Sequence, residues 1–159
     1  MVIRQASKDD IAQILMLTNS VADKHGKNRP DILVEHPYHI TCEKLERNIQ
    51  SDDHYVIVAA DDTGNKIAGV ILCSIRSYAD DLKYQDAKII SIEDTCVDLA
   101  FRGNHVGSML LDYIKKLACT IGCSRLESNV WAFNKESRSF FQANGFEIQR
   151  MIMECAINE

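Results

Sequence analysis

The sequence is poor in the features that would send it to a membrane, out of the cell or onto nucleic acid. No apolar run approaches the roughly 20 residues that a membrane helix needs. The N-terminal MVIRQASKDD brings charge too early and has no apolar core of a signal peptide. These absences predict a cytoplasmic protein with no membrane partner. Only two prolines occur, Pro30 and Pro37, and no linker, internal repeat or low-complexity stretch is visible. No basic run occurs either. Eighteen Lys and Arg stand against 23 Asp and Glu, a formal net charge of −5. That balance repels a phosphate backbone, so no nucleic-acid partner is expected. An acidic surface tolerates a cationic substrate such as an amine. No CxxC pair is present, and the histidines His25, His36, His39 and His54 are scattered, so no metal is expected. The six cysteines, Cys42, Cys73, Cys96, Cys119, Cys123 and Cys155, read as reduced thiols.

What is present suits one folded domain over residues 1–159. Of these residues 46% are hydrophobic and 26% charged, enough to bury a core without staples. Val2-Ile3-Arg4 opens a strand. Ser7 and Asp10 form a capping pair, and Ile11, Ile14, Leu15, Thr18 and Val21 follow helical spacing. Gly26 to Pro37 reads as loop. Thr41 caps a second helix carrying Leu45 and Ile49. Tyr55 to Ala60 and Lys66 to Tyr78 read as strands joined by the turn Asp61-Asp62-Thr63-Gly64-Asn65. Asp80 to Ala87 is a polar loop, and Lys88 to Leu99 a further strand. The clearest helix carries Val106, Met109, Leu110, Tyr113, Ile114, Leu117, Ala118 and Ile121 on one face, and Gly122 ends it. Arg125 to Trp131 is a strand and Ser137 to Ala143 a short helix. Phe146 to Ile157 is expected to return as strand, with a hairpin around Gln149-Arg150. Strand-helix-strand units beside hairpins predict a mixed α/β (α+β) fold, part parallel and part antiparallel.

The most informative stretch runs from Val97 to Ser108, where a buried strand turns into the amphipathic helix. Such a turn exposes backbone N–H groups at a helix N-terminus, which suit a phosphate or pyrophosphate. Gly103, Gly107 and Ser108 let a ligand approach closely. There is no Gly-Lys-Ser/Thr and no GxGxxG, so ATP and dinucleotides lose their main support.

Arg102-Gly103-Asn104-His105-Val106-Gly107 resembles the acetyl-CoA loop of the GNAT N-acetyltransferase superfamily, Arg/Gln-x-x-Gly-x-Gly/Ala, with His105 at the middle glycine. Asn134, followed by Phe140-Phe141-Gln142-Ala143-Asn144-Gly145-Phe146, resembles the family's Asn-x-x-Ala-x-x-Phe-Tyr-x-x-x-Gly-Phe pattern. The strong resemblance covers Lys88 to Ile157. It implies a GNAT-like mixed sheet of about six or seven strands, splayed between the fourth and fifth and flanked by about four helices. It further implies acetyl-CoA as cosubstrate. The pantetheine arm would lie between the strand ending at Val97 and the strand at Leu126–Trp131, its amides near Cys96 and Val97. The pyrophosphate would sit on the N–H groups of Arg102, Gly103, Asn104, His105, Val106, Gly107 and Ser108. Asn134 would contact the pantetheine side or fix the loop around it.

The implied reaction is direct acetyl transfer to a primary amine, on a small molecule or a protein, in a ternary complex. A homodimer is compatible with it. An alkyl ammonium has a pKa of about 10.4, so a base must help to make it nucleophilic. Glu93 and Asp94 are the candidate bases. Strand alternation would point them to opposite faces, and Glu93 is the better match to the family. The tyrosine that usually protonates the departing thiolate is Phe141 here. That substitution motivates the alternative, a catalytically impaired CoA-binding or regulatory module. Tyr113 is expected in the core, and Tyr78 and Tyr84 at the surface or in a substrate loop. His105 is expected in ordinary helical conformation, its backbone serving as donor; the other reading makes its imidazole a phosphate donor. No cysteine is expected to act as nucleophile.

Overall fold

The computed structural model describes residues 1–37, 40–79, 83, 85 and 87–157. His39, Tyr84 and the Asp80-Asp81 pair, singled out in the sequence, lie outside the described residues. Compactness divides the chain into two units, Met1–Asn129 and Val130–Glu159.

The first unit is a five-stranded mixed sheet in the order β1-β2-β3-β4-β5. β1 (Val2–Gln5) leads through a short 3-10 turn to α1 (Ile11–Asn28). Asp10 closes that entrance. Its carboxylate accepts the Ser7 N–H at 2.7 Å and a two-pronged bond from the Arg4 guanidinium at 2.7 and 2.9 Å. The Arg4 bond, with the Ser7 groups, holds the Asp10 carboxyl below its ordinary pKa despite burial. α1 continues further than the expected loop boundary at Gly26. Gly26 lies within the helix, and a Cβ there would lie 2.9 Å from Pro37 Cδ and 3.2 Å from the Val34 carbonyl oxygen, so glycine lets that segment cross the helix closely. α2 (Cys42–Gln50) starts as expected at Thr41, whose hydroxyl accepts the Lys44 N–H.

β2 (His54–Ala60), β3 (Ile67–Ser77) and β4 (Lys88–Val97) form the antiparallel centre of the sheet. The β2–β3 turn is fixed by Asp61, whose carboxylate accepts from the Thr63 hydroxyl and the Asn65 N–H. α3 (Val106–Thr120) crosses back to β5 (Arg125–Ser128), which runs parallel to β4. Helices cover both faces of the sheet. Val56, Val58, Val70, Leu72 and Cys96 join Ile14 of α1 and Leu45 of α2 in one core. Gly69, on the opposite face by alternation, meets Val106 and Leu110 of α3. Tyr113 is 36% exposed rather than in the core. Leu110, Ile114 and Ala118 define the buried stripe of α3, and Tyr113 falls beside it.

The second unit contains α4 (Lys135–Ala143), and Phe141 packs there between Phe140 and Phe146. The sheet thus has five strands among the described residues, not six or seven. The strand expected from Arg125 stops at Ser128 instead of Trp131. No strand forms at Phe146 to Ile157, where a returning strand with a hairpin around Gln149-Arg150 is expected from the sequence.

Candidate active site

The residues expected to hold the cofactor assemble where β4 ends. Asp98 caps a 3-10 turn, Leu99–Phe101, by accepting the Ala100 N–H at 2.8 Å. Lys66, just before β3, lies 3.7 Å from the Asp98 carboxylate and 4.8 Å from the centre of the Phe101 ring, bracing the turn. The Arg102 and Asn104 N–H groups are directed into the loop, each 3.4 Å from a carbonyl, of Leu99 and Phe101 respectively. The first helical bond of α3 runs from the Met109 N–H to the His105 carbonyl. The N–H groups of Val106, Gly107 and Ser108 therefore precede any intrahelical acceptor. No acidic residue lies in that first turn and no side chain caps it, so the positive end of the helix dipole is free to meet an anion. The strongest donors of the loop are thus concentrated at its helical end.

His105 departs from the expected conformation. It has φ 58° and ψ 14°, in the left-handed region, and Gly103 has φ 80°. Chain reversal into α3 needs positive φ at both positions, which explains why the family pattern carries glycine where this chain has histidine. The imidazole is exposed.

Gly69 sets how closely α3 approaches. A Cβ at Gly69 would lie 3.0 Å from both the Cys96 carbonyl oxygen and Val106 Cγ1. This residue had no sequence signal beyond being a glycine inside a strand, which marks close backbone approach.

β4 carries the proposed bases. Ser74 pairs with Ser91 and Cys73 with Ile92, but Leu72 pairs with Asp94, so Glu93 is an extra residue in a bulge. Ser91 and Asp94 consequently share one face of the sheet although three residues apart. Glu93 acts on the thiol of Cys73 and Asp94 on that of Cys96, two cysteines on opposite faces of the sheet. Glu93 is exposed and Asp94 half-buried. Bulges leave backbone groups out of the ladder and re-aim side chains. Past the bulge, β4 and β5 no longer pair: the parallel ladder joins Ile89–Ile92 to Arg125–Ser128 and stops. Residues Glu93–Val97 continue with β3 alone. Thr95 in this stretch buries its hydroxyl oxygen without a hydrogen-bond partner among the described residues.

The thiols nearest these groups are inert. Burial pushes the Cys73 and Cys96 thiols well above their ordinary range, with Glu93 adding to the shift at Cys73 and Asp94 at Cys96. In the second unit, Asn134 caps α4, its side-chain oxygen accepting the Ser137 N–H at 3.2 Å, while Phe141 is buried. A cavity of about 360 Å³ lies beside the end of α1, lined by Asp23, Gly26, Lys27 and His36 among others, and none of the residues of the Val97–Ser108 loop or of β4 lines it. Among the described residues no cluster of metal-ligating side chains occurs, and no helix is long and apolar enough to cross a membrane.

A comparison with curated proteins finds no match. Among solved structures, a mutant of the BH1408 protein from Bacillus halodurans superposes with a TM-score of 0.93 at 24% identity, covering 99% of this chain and 100% of that one. Glucosamine-6-phosphate N-acetyltransferase from Arabidopsis thaliana gives 0.69 at 20% identity, with 99% and 98% covered. Aminoglycoside N-acetyltransferase AAC(6')-Iy, in complex with CoA, gives 0.70 at 22% identity, with 99% of each chain covered. At these identities the likeness is one of fold. A family model described as acetyltransferase (GNAT) family matches residues 15–146. With the helix-terminus loop, the interrupted β4–β5 ladder and that match together, the chain belongs to the GNAT acetyltransferase family.

Proposed function

We propose that this protein is an acetyl-CoA-dependent N-acetyltransferase that moves the acetyl group directly to a primary amine in a ternary complex. The observation that carries the reading is the open first turn of α3, Val106 to Ser108, beside the stretch of β4 that β5 does not pair. The first supplies donors for a pyrophosphate. The second offers backbone groups to an amide-bearing arm, near Cys96 and Val97.

The amine nitrogen attacks the thioester carbonyl carbon, the C–S bond breaks, and CoA leaves as thiolate. The amine proton passes to Glu93, directly or through a water. Glu93 suits this role because its bulge position leaves it exposed. Backbone groups freed by the bulge can face the carbonyl oxygen as charge develops. No acyl-enzyme is needed, and the buried, protonated thiols of Cys73 and Cys96 would not form one. The alternative, a CoA-binding module without turnover, draws its support from Phe141, which carries no phenol to protonate the thiolate. A thiolate is nevertheless a tolerable leaving group near its free pKa of about 8.5.

Two measurements test this. Acetyl-CoA at 100 times its Kd should stabilise the fold by about 2.7 kcal/mol, a rise in Tm of roughly 5–10 °C for a chain of this size. Gly107→Glu, which sets bulk and negative charge against the helix end, should abolish that rise. Undiminished binding by the variant would refute the pyrophosphate assignment. Thiol release with a panel of amines then separates the transferase from the silent module.

A further inference from the structure

The bulge in β4 does more than expose one carboxylate. It sets two of them, Glu93 and Asp94, at the level where β5 stops pairing with β4. They act on different sides of the sheet. The Asp94 carboxylate raises the thiol of Cys96, which belongs to the core under α1 and α2. The Glu93 carboxylate raises the thiol of Cys73. Cys73 follows Leu72 of that core along β3, so its side chain lies on the opposite face, the one that α3 packs on. Asp94 is half-buried and Glu93 exposed. Between them the edge of β4 is left without its β5 ladder, which ends at Ile92.

We infer that the acceptor is a linear diamine and that Asp94 selects it by holding the amine that does not react. The inference rests on the transferase reading, in which Glu93 takes the proton of the attacking amine. An alkyl ammonium has a pKa of about 10.4, so the second amine of the same molecule stays charged at neutral pH. A charge drawn out of water needs a partner, and the half-buried Asp94 carboxylate supplies one. Geometry sets the length. Consecutive Cα atoms lie about 3.8 Å apart, and side chains leaving them on opposite faces separate their carboxylates to roughly 7–10 Å. A chain of about four or five carbons holds its two terminal nitrogens roughly 6–8 Å apart. Such a molecule laid across the bare edge of β4 meets both carboxylates, whereas a monoamine meets one. The net charge of −5 also favours the approach of a dication over a monocation.

Thiol release at saturating acetyl-CoA tests it with three amines: diaminobutane, butylamine and aminobutanol, whose hydroxyl replaces the second amine without charge. In the parent kcat/KM should be about 10–100-fold higher for the diamine than for either monoamine, the worth of one hydrogen bond to a charged group. Across a series of longer and shorter diamines it should peak near diaminobutane and diaminopentane. Asp94→Asn should shrink the preference to within about threefold, through the KM of the diamine, and Asp94→Glu, which keeps the charge, should retain most of it. Circular dichroism confirms that the variants are folded. If they are not, the amine comparison on the parent still decides. Three results would overturn the inference: a parent that turns over aminobutanol as well as diaminobutane, a flat diamine series, or a folded Asp94→Asn variant that keeps the preference or loses equal rate with every amine. Equal loss is the pattern of a base or a structural residue. Release with no amine at all, while acetyl-CoA still raises Tm, would instead refute the transferase reading beneath it.

Discussion

His105 is a residue with a side chain in a conformation that favours glycine, and its strain can be measured. It caps α3 at φ 58° and ψ 14°. A residue with a Cβ pays roughly 1–2 kcal/mol in the left-handed region. Glycine avoids that cost but loses about 0.4–1 kcal/mol more backbone entropy on folding. His105→Ala and His105→Gly both remove the imidazole and differ only in the Cβ. The glycine variant should therefore be more stable than the alanine variant by about 1 kcal/mol, a Tm gap of roughly 2–4 °C in a chain of this length. Calorimetry without ligand measures the gap. An alanine variant as stable as the glycine one would show that residue 105 is not left-handed. The same pair reads the cofactor site. If the backbone N–H groups of Val106 to Ser108 do the binding, His105→Gly should keep acetyl-CoA affinity within about threefold of the parent. Equal losses of about tenfold in both variants would instead make the imidazole a donor.

Other expectations follow from the same geometry. Glu93→Gln should lower turnover by about 10²–10⁴-fold with acetyl-CoA affinity nearly unchanged, the loss shrinking as pH rises and more amine is already neutral. A rate equal to the parent at neutral pH would remove Glu93 from the reaction. Gly69→Ala forces a methyl group against the Cys96 carbonyl and Val106. It should cost about 1–3 kcal/mol in denaturant unfolding and weaken acetyl-CoA binding by displacing the helix end. Asp10 has a lowered pKa in the fold. Its stabilisation is therefore fully present above the unfolded carboxyl value of about 3.9 and lost as pH falls through the lower folded one. Asp10→Asn should be less stable than the parent at neutral pH and should lose less between neutral and strongly acidic conditions, as read by thermal unfolding against pH. Iodoacetamide should label exposed Cys42, Cys119 and Cys155 in the folded protein and spare Cys73 and Cys96.

Much of this architecture could be read from the residues. Helical spacing located α1, α2 and α3, and Thr41 and Gly122 mark helix ends because capping is local chemistry, whereas the cap that Asn134 places on α4 was not read. The turn into α3 was legible for the same reason: a strand, a glycine-bearing turn and an amphipathic helix follow one another within the stretch Val97–Ser108. What escaped depends on pairing between distant residues. The bulge at Glu93 arises from the register of β4 against β3, and Ile-Glu-Asp-Thr carries no mark of it. The left-handed angle of His105 was hidden because histidine does not signal positive φ as glycine does. The role of Gly26 inside α1 was hidden because it is set by the close approach of Pro37, a contact between residues far apart in the chain. The strand expected at Phe146 to Ile157 does not form, because strand-forming composition alone fixes no ladder.

The bulge has a consequence for how this family member could change. On either side of Glu93 the β3–β4 ladder is in register apart from a single added residue: Cys73 opposes Ile92 and Leu72 opposes Asp94. Deleting Glu93 would therefore join the two halves into an uninterrupted ladder, with every other pairing retained and Asp94 still opposite Leu72. The sheet does not need this residue and would be more regular without it. A deletion at most other places in β4 would slip the strand and turn buried Ile89, Ile90 and Ile92 toward the wrong faces. Glu93 is thus a separable insertion, so its loss would leave a folded protein stripped of one carboxylate and one kink.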